Sequence, residues 1–294
     1  MTGAARGRRL LLVHAHPDDE TIMTGGTIAH YLAQGAEVAV VTFTLGEEGE
    51  VIGRRWAGLV ADGGADQLGG FRIGELSAAL AELSPDGAEP LQPRFLGGAG
   101  RWRDSGMAGA PSSRNPRALV QAPLADLVAA LLDELREFDP QVVVTYDAVG
   151  TYGHPDHRRV HEVCAAALAQ HTAATGRPVK VYESVTEDSA LRRGLADAAG
   201  RVPAGWRMPE PGELPSYPDA EITAQVDVGA VVGRKVAALA AHATQVTVAP
   251  SGTEYALSNT IVQPVFAVEH FRRVDDAAPP AGAPRETDLF EGIR

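Results

Sequence analysis

Residues 10–43 read LLLVHAHPDDETIMTGGTIAHYLAQGAEVAVVTF and contain the pattern that decides the fold. The apolar run at the start, Leu10 to Val13, is typical of a strand that is buried on both faces. A polar loop follows, and Thr24 to Gln34 predicts a helix that ends at Gly35, because glycine favours the position after a helix. Val38 to Phe43 predicts a second strand. A strand, a helix and a strand within about 35 residues form a βαβ unit, which indicates a parallel sheet.

The alternation of helices and strands continues to residue 185. In chain order, the sequence predicts a mostly helical stretch over Ala57 to Leu83, a short strand at Arg94 to Leu96, an amphipathic helix over Leu124 to Phe138, a buried strand over Gln141 to Tyr146, a helix over Arg158 to Gln170 and a strand over Val179 to Ser184. This pattern predicts an α/β, Rossmann-like fold with a mostly parallel, doubly wound sheet, and we expect residues 1–185 to form its catalytic core.

The alternation weakens after residue 185. We expect residues 186–294 to form a smaller C-terminal subdomain that completes the substrate pocket. Its predicted parts are a lid-like loop over Pro203 to Pro218, which is rich in proline and glycine, and a helix over Val226 to Ala243. The tail from Asp275 has a composition typical of loosely ordered segments.

The composition of the chain excludes several classes of function. Of its 294 residues, 45% are hydrophobic and 22% are charged, which excludes disorder throughout. The formal net charge of −12 argues against nucleic acids and anionic membrane surfaces as partners. One cysteine, Cys164, excludes an internal disulfide, and no apolar run approaches the ~20 residues of a membrane helix. We therefore expect a cytoplasmic protein with neither nucleic acid nor membrane as its partner; the sequence indicates no oligomeric state.

Histidines and carboxylates follow two of the predicted strands. His14 to Glu20 comes directly after the first strand, and Tyr152 to His157 lies just beyond the strand over Gln141 to Tyr146. Taken alone, each cluster is also consistent with a charge-paired or helix-capping loop. Loops that follow different parallel strands meet at one sheet edge, so together the clusters can supply His, Asp and His to one cation. Zinc and ferrous iron share these ligand types.

The same clusters contain groups suited to hydrolysis. Asp18 and Asp19 are adjacent, so their side chains leave the backbone in different directions: one can bind a metal while the other takes a proton from water. His154 and Tyr152 are candidates for stabilising an oxyanion or assisting a leaving amine. Asp156 is a candidate for orienting a histidine.

His-Pro-Asp-Asp-Glu after a first strand, with His-Pro-Asp-His downstream, resembles the LmbE-like family, the relatives of GlcNAc-PI de-N-acetylase, which are metal-dependent deacetylases. The similarity runs from Arg9 to His270. The longest blocks, which are similar to the branch of this family that acts in mycothiol biosynthesis, are residues 44–53, 65–76, 98–107 and 235–246.

The resemblance implies a reaction and a metal site. The enzyme would remove the acetyl group from an N-acetylglucosaminyl-inositol, giving glucosaminyl-inositol and acetate. It would hold one Zn²⁺ per subunit, or Fe²⁺, on His16, Asp19 and His157, with Asp18 as the general base.

The resemblance also implies roles around this site. His154 would stabilise the oxyanion or assist the leaving amine, and Tyr152 would polarise the acetyl carbonyl. Arg72, Asp104 and Glu50 would contact substrate hydroxyls.

Structural roles are the alternatives for several of these residues. Arg72 is also suited to pairing with Glu75 or Asp66, Asp104 to capping a turn, and Glu50 to a solvated acidic loop. His242 lies on the apolar face of a predicted helix, and this pattern favours a position in the core or behind the site.

Two other functions remain in view. One is another hydrolase of this family, either an amidase of mycothiol S-conjugates or a deacetylase of another N-acetylated sugar. The amidase branch carries a lysine shortly after Asp-Asp-Glu, where this chain has Thr21 to Thr24 without one. The other is a nucleotide- or sugar-binding module, which the first loop disfavours because it lacks Gly-x-Gly-x-x-Gly.

Overall fold

The computed structural model describes residues 7–274 and 284–293. Within these residues ten strands are present: β1 (Arg9–His14), β2 (Glu37–Thr42), β3 (Arg94–Phe95), β4 (Val142–Thr145), β5 (Lys180–Val185), β6 (Ala224–Asp227), β7 (Thr247–Val248), β8 (Glu254–Ala256), β9 (Gln263–Pro264) and β10 (Val268–Arg273). The α-helices of the same residues are α1 (Asp19–Ala33), α2 (Leu68–Leu83), α3 (Leu124–Phe138), α4 (Pro155–Thr175), α5 (Asp188–Ala198) and α6 (Val232–Ala241).

The main sheet has the strand order β3-β2-β1-β4-β5-β10-β6. The pairings from β3 to β5 are parallel, and β10 is antiparallel to both of its neighbours. Leu10 of β1 aligns with Val38 of β2 on one side and with Val142 of β4 on the other. The chain winds outward from β1 and then returns to β4, so the order reverses between these strands. Ligands of open α/β sheets bind at the carboxyl ends of strands at such a point.

Both faces of the sheet are buried, as the apolar run of β1 predicts. Leu10 and Leu12 pack on one face with α1, α2 and α6, while Leu11 and Val13 pack on the other with α3 and α4. Five residues of the apolar stripe predicted for α3 are buried, whereas its first member, Leu124, is exposed at the start of the helix; the buried ones are Leu127, Val128, Leu131, Leu132 and Leu135. The mostly parallel α/β sheet expected from the sequence is confirmed.

Two of the predicted helices are wrong in part. In the stretch Ala57 to Leu83, one 3₁₀ turn is followed by a loop, and the helix begins only at Leu68. The loop contains Gly63 at φ 71° and Asp66 at φ 52°, left-handed conformations that interrupt a helix. In the stretch Val226 to Ala243, the first two residues belong to β6, and α6 begins at Val232. Val226 pairs instead with Glu269 of β10.

Strands from both parts of the chain share the main sheet, because β6 and β10 extend it beyond β5. The sheet does not separate the two predicted parts of the chain, so the division at residue 185 stays a prediction. Pro203 to Pro218 contains no helix or strand, as expected of a loop. The tail from Asp275 to residue 283 lies outside the described residues. Among those that are described, no helix has the length and apolar character needed to cross a membrane.

Candidate metal and catalytic site

The two histidine and carboxylate clusters lie at the carboxyl ends of neighbouring strands. The first follows β1, and α1 begins within it at Asp19, earlier than the sequence predicts. The second follows β4 and leads into α4, with His154 as the N-cap residue and His157 in the first turn. Pro155 occupies the first helical position, where its missing N–H is tolerated. The strand order thus brings the clusters together at the reversal point.

His16, Asp19 and His157 meet around a single oxygen atom. Oδ2 of Asp19 lies 3.2 Å from Nδ1 of His16 and 3.4 Å from Nε2 of His157, and all three side chains are buried. Neither ring nitrogen of His157 makes a hydrogen bond with the described residues, because the 3.4 Å contact of Nε2 with Asp19 lacks hydrogen-bond geometry. A buried polar atom without a partner is costly, and two imidazoles with a carboxylate are a donor set that zinc prefers. These residues therefore fit a divalent cation.

His154 lies beside these ligand candidates. His16, His154 and His157 place one ligand atom each within 4.8 Å of one another. Burial, followed by the neighbouring His16 and His157, lowers the pKa of His154 to about 3. Its Nδ1 accepts a hydrogen bond from the backbone N–H of Asp156 at 3.2 Å. In the neutral ring the proton is therefore assigned to Nε2.

Two carboxylates face the other nitrogen of His16. Its Nε2 lies 3.3 Å from Oδ2 of Asp156 and 3.5 Å from Oδ1 of Asp104. Burial alone would lower the pKa of His16, but Asp104, Asp156 and Asp19 raise it well above its usual value. Asp156 thus lies where a carboxylate that orients a histidine is expected. His16, Asp104 and Asp156 form a second group whose ligand atoms lie within 4.8 Å of one another.

Asp18 faces a cavity of about 580 Å³ that Asp19, His154 and His157 also line. Its backbone has φ 122°, a conformation that non-glycine residues rarely adopt and that clusters at functional sites. The backbone N–H of Asp18 donates to Oε2 of Glu20 at 2.9 Å. Burial raises the pKa of Asp18 to about 6, with Arg72 opposing the shift and Asp19 adding to it.

Arg72 is buried beside Asp18, with Nη2 3.1 Å from Oδ2 of that carboxylate. The guanidinium also donates to the carbonyls of Gly46, at 2.8 Å, and of Pro17. Arg72 also lines the cavity. Its contact with a substrate hydroxyl stays a prediction.

The alternative interpretation, that Arg72 pairs with Glu75 or Asp66, is wrong. Glu75 accepts hydrogen bonds from Thr244, and Asp66 pairs with Arg103. The side chain of Arg72 instead turns toward the loops that follow β1 and β2.

The other predicted substrate contacts also line the cavity. Oδ1 of Asp104 accepts from the N–H of Gly106 at 2.8 Å, so this residue both shapes a turn and faces His16. Glu50 is exposed and accepts from Ser258 at 2.7 Å.

Tyr152 lies at the rim of the cavity and is 54% exposed. Its ring makes edge contacts with His154 and His157, with centroids 5.9 and 5.3 Å apart. The side chain is therefore accessible to a ligand in the cavity.

Residues behind the site complete it. His242 is fully buried, as the sequence favours, with Nε2 2.9 Å from Oε1 of Glu20. Sequence reasoning assigned no role to Glu20 or Tyr146. Glu20 could have been found from its position in the first cluster. Tyr146 could have been found from its position directly after the buried strand that leads into the second cluster.

The family described as PIG-L: GlcNAc-PI de-N-acetylase matches residues 11–168. A protein of Gordonia bronchialis is 72% identical over 284 residues, covering 97% of this chain and 100% of the relative. A protein of Rhodococcus jostii is 60% identical over 294 residues, covering 97% and 98%. Both are named 1D-myo-inositol 2-acetamido-2-deoxy-alpha-D-glucopyranoside deacetylase.

Solved structures share the fold. N,N'-diacetylchitobiose deacetylase from Pyrococcus horikoshii has a TM-score of 0.50 at 18% identity, covering 80% of this chain and 69% of that one. The 4-carboxy-2-hydroxymuconate hydratase GalB from Pseudomonas putida has a TM-score of 0.52 at 17% identity, covering 94% and 100%. At these identities the likeness concerns the fold alone.

Proposed function

This chain belongs to the GlcNAc-PI de-N-acetylase family, and on that premise we propose that it hydrolyses the acetamide of an N-acetylglucosaminyl-inositol to give glucosaminyl-inositol and acetate, as in mycothiol biosynthesis. The names of the relatives with 72% and 60% identity support this substrate. The observation that carries the proposed chemistry is the meeting of His16, His157 and Asp19 Oδ2 in the cavity that Asp18 faces.

We propose that His16, Asp19 and His157 hold one zinc ion per chain, with ferrous iron as the other cation that suits these donors. The unpartnered ring nitrogens of buried His157 support this assignment. When bound, such a cation acidifies water and polarises an amide carbonyl.

Asp18 is the proposed general base. Its carboxylate faces the cavity and is fixed from behind by Arg72 Nη2 at 3.1 Å. A fixed carboxylate of this kind takes a proton from attacking water and can return it to the leaving amine. Because Arg72 holds it by charge, the base needs no rearrangement before the reaction.

His154 and Tyr152 are the proposed hydrogen-bond donors for the acetyl oxygen. Nδ1 of His154 is occupied by the backbone N–H of Asp156, which leaves the Nε2–H to donate. Tyr152 lines the same cavity as an exposed residue and would supply its phenolic O–H. Donors aimed at a developing oxyanion stabilise the transition state more than the ground state.

The C-terminal part of the chain is proposed to complete the substrate pocket. Tyr217, Tyr255 and His270 line the same cavity as Asp18. Arg72, Asp104 and Glu50 are the proposed contacts to substrate hydroxyls, and a cavity of about 580 Å³ suits a small ligand. One buried, unpaired cysteine agrees with action in a reducing cytoplasm.

Amidase activity on mycothiol S-conjugates is the second candidate. The cavity is also lined by Leu191, Leu214 and Phe266, apolar side chains that an N-acetylglucosaminyl-inositol does not require. A larger amide with an apolar substituent would use them. The ratio of kcat/KM for the acetylated pseudodisaccharide and for a bimane-type thiol conjugate distinguishes the two.

Acetate release from N-acetylglucosaminyl-inositol tests the proposed function. We expect release by the purified protein, loss of release with a chelator and recovery when zinc is added. Asp18→Asn should keep its metal but lower kcat by ~10²-fold or more, because the general base is lost. No acetate from the wild type, or release that a chelator does not affect, would contradict the proposal.

A further inference from the structure

We propose that Tyr146 is a positioning residue of the metal site that fixes two of the three proposed ligands, Asp19 through its hydroxyl and His157 through its ring. This inference rests on the proposed function, because it concerns the same cation. Tyr146 follows β4 directly and is fully buried between the two loops of the site.

The hydroxyl of Tyr146 has a defined direction. It accepts a hydrogen bond from the backbone N–H of Ala15 at 2.7 Å, and it lies 2.7 Å from Oδ2 of Asp19. A carboxylate oxygen only accepts, so the phenolic proton is donated to Asp19. The same oxygen accepts from the backbone N–H of His16 at 2.9 Å and faces the rings of His16 and His157, so Tyr146 and this N–H together fix the atom around which the ligands meet.

The ring of Tyr146 lies against His157. The two rings are stacked, with centroids 4.1 Å apart and planes inclined by 16°. Tyr146 also makes an edge contact with His14, with ring centroids 5.6 Å apart. The imidazole of His157 therefore cannot turn without displacing a packed aromatic ring.

Stacking here takes the place of a hydrogen bond. A metal-binding histidine usually donates its second ring N–H to a carboxylate or carbonyl, which fixes the ring orientation. Nδ1 of His157 has no such partner among the residues described. His16, in contrast, has Asp156 and Asp104 beside its Nε2. The orientation of His157 thus depends on the ring of Tyr146.

Two variants separate the two contacts. Tyr146→Phe removes the hydrogen bond to Asp19 and keeps the stacked ring, whereas Tyr146→Leu removes both. The matched control is Tyr182→Phe, because Tyr182 is also buried, on neighbouring β5, and its hydroxyl donates to the carboxylate of Glu286. Each Phe variant loses one buried hydroxyl bound to a carboxylate, but only one of them touches the proposed metal site.

The test is the dissociation constant for zinc, measured by competition with a chromogenic chelator, together with the urea midpoint of each metal-free protein. We expect Tyr146→Phe to bind zinc ~10- to ~100-fold more weakly, Tyr146→Leu more weakly still, and Tyr182→Phe like the wild type. The absorption bands of the cobalt-loaded protein should also shift in Tyr146→Phe, since they report ligand geometry.

Other results of these measurements would contradict the inference. Wild-type affinity in a folded Tyr146→Phe protein, or equal weakening in Tyr182→Phe, would overturn the inference and leave the proposed function standing. A wild-type protein that binds no zinc would overturn the metal site itself, and the inference with it.

Discussion

Asp18 and Arg72 form a largely buried ion pair, with Oδ2 of the carboxylate 3.1 Å from Nη2 of the guanidinium. Arg72 also donates to the carbonyls of Pro17 and Gly46, so one side chain joins the loops after β1 and β2. Gly46 has φ 65°, and a Cβ there would lie 2.0 Å from Nη1 of Arg72. Only glycine allows this approach, so the loop is shaped around the guanidinium.

Substitution of Arg72 should impair turnover more than substrate binding. Arg72→Ala leaves Asp18 without its buried partner and free to shift, and a displacement of about 1 Å at a reacting group can cost ~10²-fold in rate. Arg72→Lys keeps the charge but not the planar fork of the guanidinium, so its kcat should lie between those of the wild type and Arg72→Ala. Steady-state kinetics on N-acetylglucosaminyl-inositol provide the check. A rise in KM with unchanged kcat would show that Arg72 only contacts substrate.

His242 should stabilise the fold through Glu20. The two side chains are fully buried and 2.9 Å apart. His242→Ala leaves the Glu20 carboxylate buried without its ionic partner, which should cost ~3–5 kcal/mol in the free energy of unfolding. Urea denaturation of the single variants and of Glu20→Gln with His242→Ala forms a double-mutant cycle. Additive losses in that cycle would show that the pair is not coupled.

The contribution of His242 should depend on pH. Burial alone would lower its pKa, but Glu20 and Asp18 raise it above 6.5, with Arg72 opposing them. A raised pKa in the folded state means that the stabilisation is complete below the unfolded value and is lost as the pH rises through the folded value. The difference in unfolding free energy between the wild type and His242→Ala should therefore shrink toward alkaline pH. A difference that grows with pH would argue against a charged His242.

Tyr217 should restrain the loop that carries Tyr152. Its hydroxyl donates to Oδ2 of Asp147 at 2.6 Å, and Oδ1 of Asp147 accepts from the N–H of Thr151 at 2.8 Å. Tyr217→Phe should speed amide hydrogen exchange over residues 147–154 and lower kcat/KM by about 10-fold or more, because a hydrogen bond to a charged group, worth about 1.5–3 kcal/mol, is lost. Ser216→Ala is the control, because Ser216 contacts Asp188 instead. Unchanged exchange over residues 147–154 would mean that the lid-like segment does not act on this loop.

The sequence predicts that the two clusters meet because the relevant signals are local, whereas the choice of His16, Asp19 and His157 within them comes from the family resemblance. Each cluster directly follows a strand whose apolar run is readable, and parallel strands bring their carboxyl ends to one edge. The apolar stripe of α3 and the buried run of β4 are readable for the same reason. These features do not depend on which distant residues pack against them.

Other features depend on distant partners and carry no local signal. Val226 has its place in β6 because Glu269 pairs with it, and the strand β10 itself follows no clear pattern. Arg72 turns toward Asp18 because Gly46 and Pro17 offer it carbonyls, which spacing along α2 does not reveal. The stacking of Tyr146 on His157 likewise needs the three-dimensional path of the loop.

The zinc content of the purified protein tests the central claim most directly. We predict one zinc per chain in the wild type and in His171→Ala, a control at a buried histidine on the same helix, α4. His157→Ala, dialysed beside them against the same zinc concentration, should retain little or none, because one of three ligands is lost. A full equivalent of zinc in folded His157→Ala, or none in the wild type, would contradict the account.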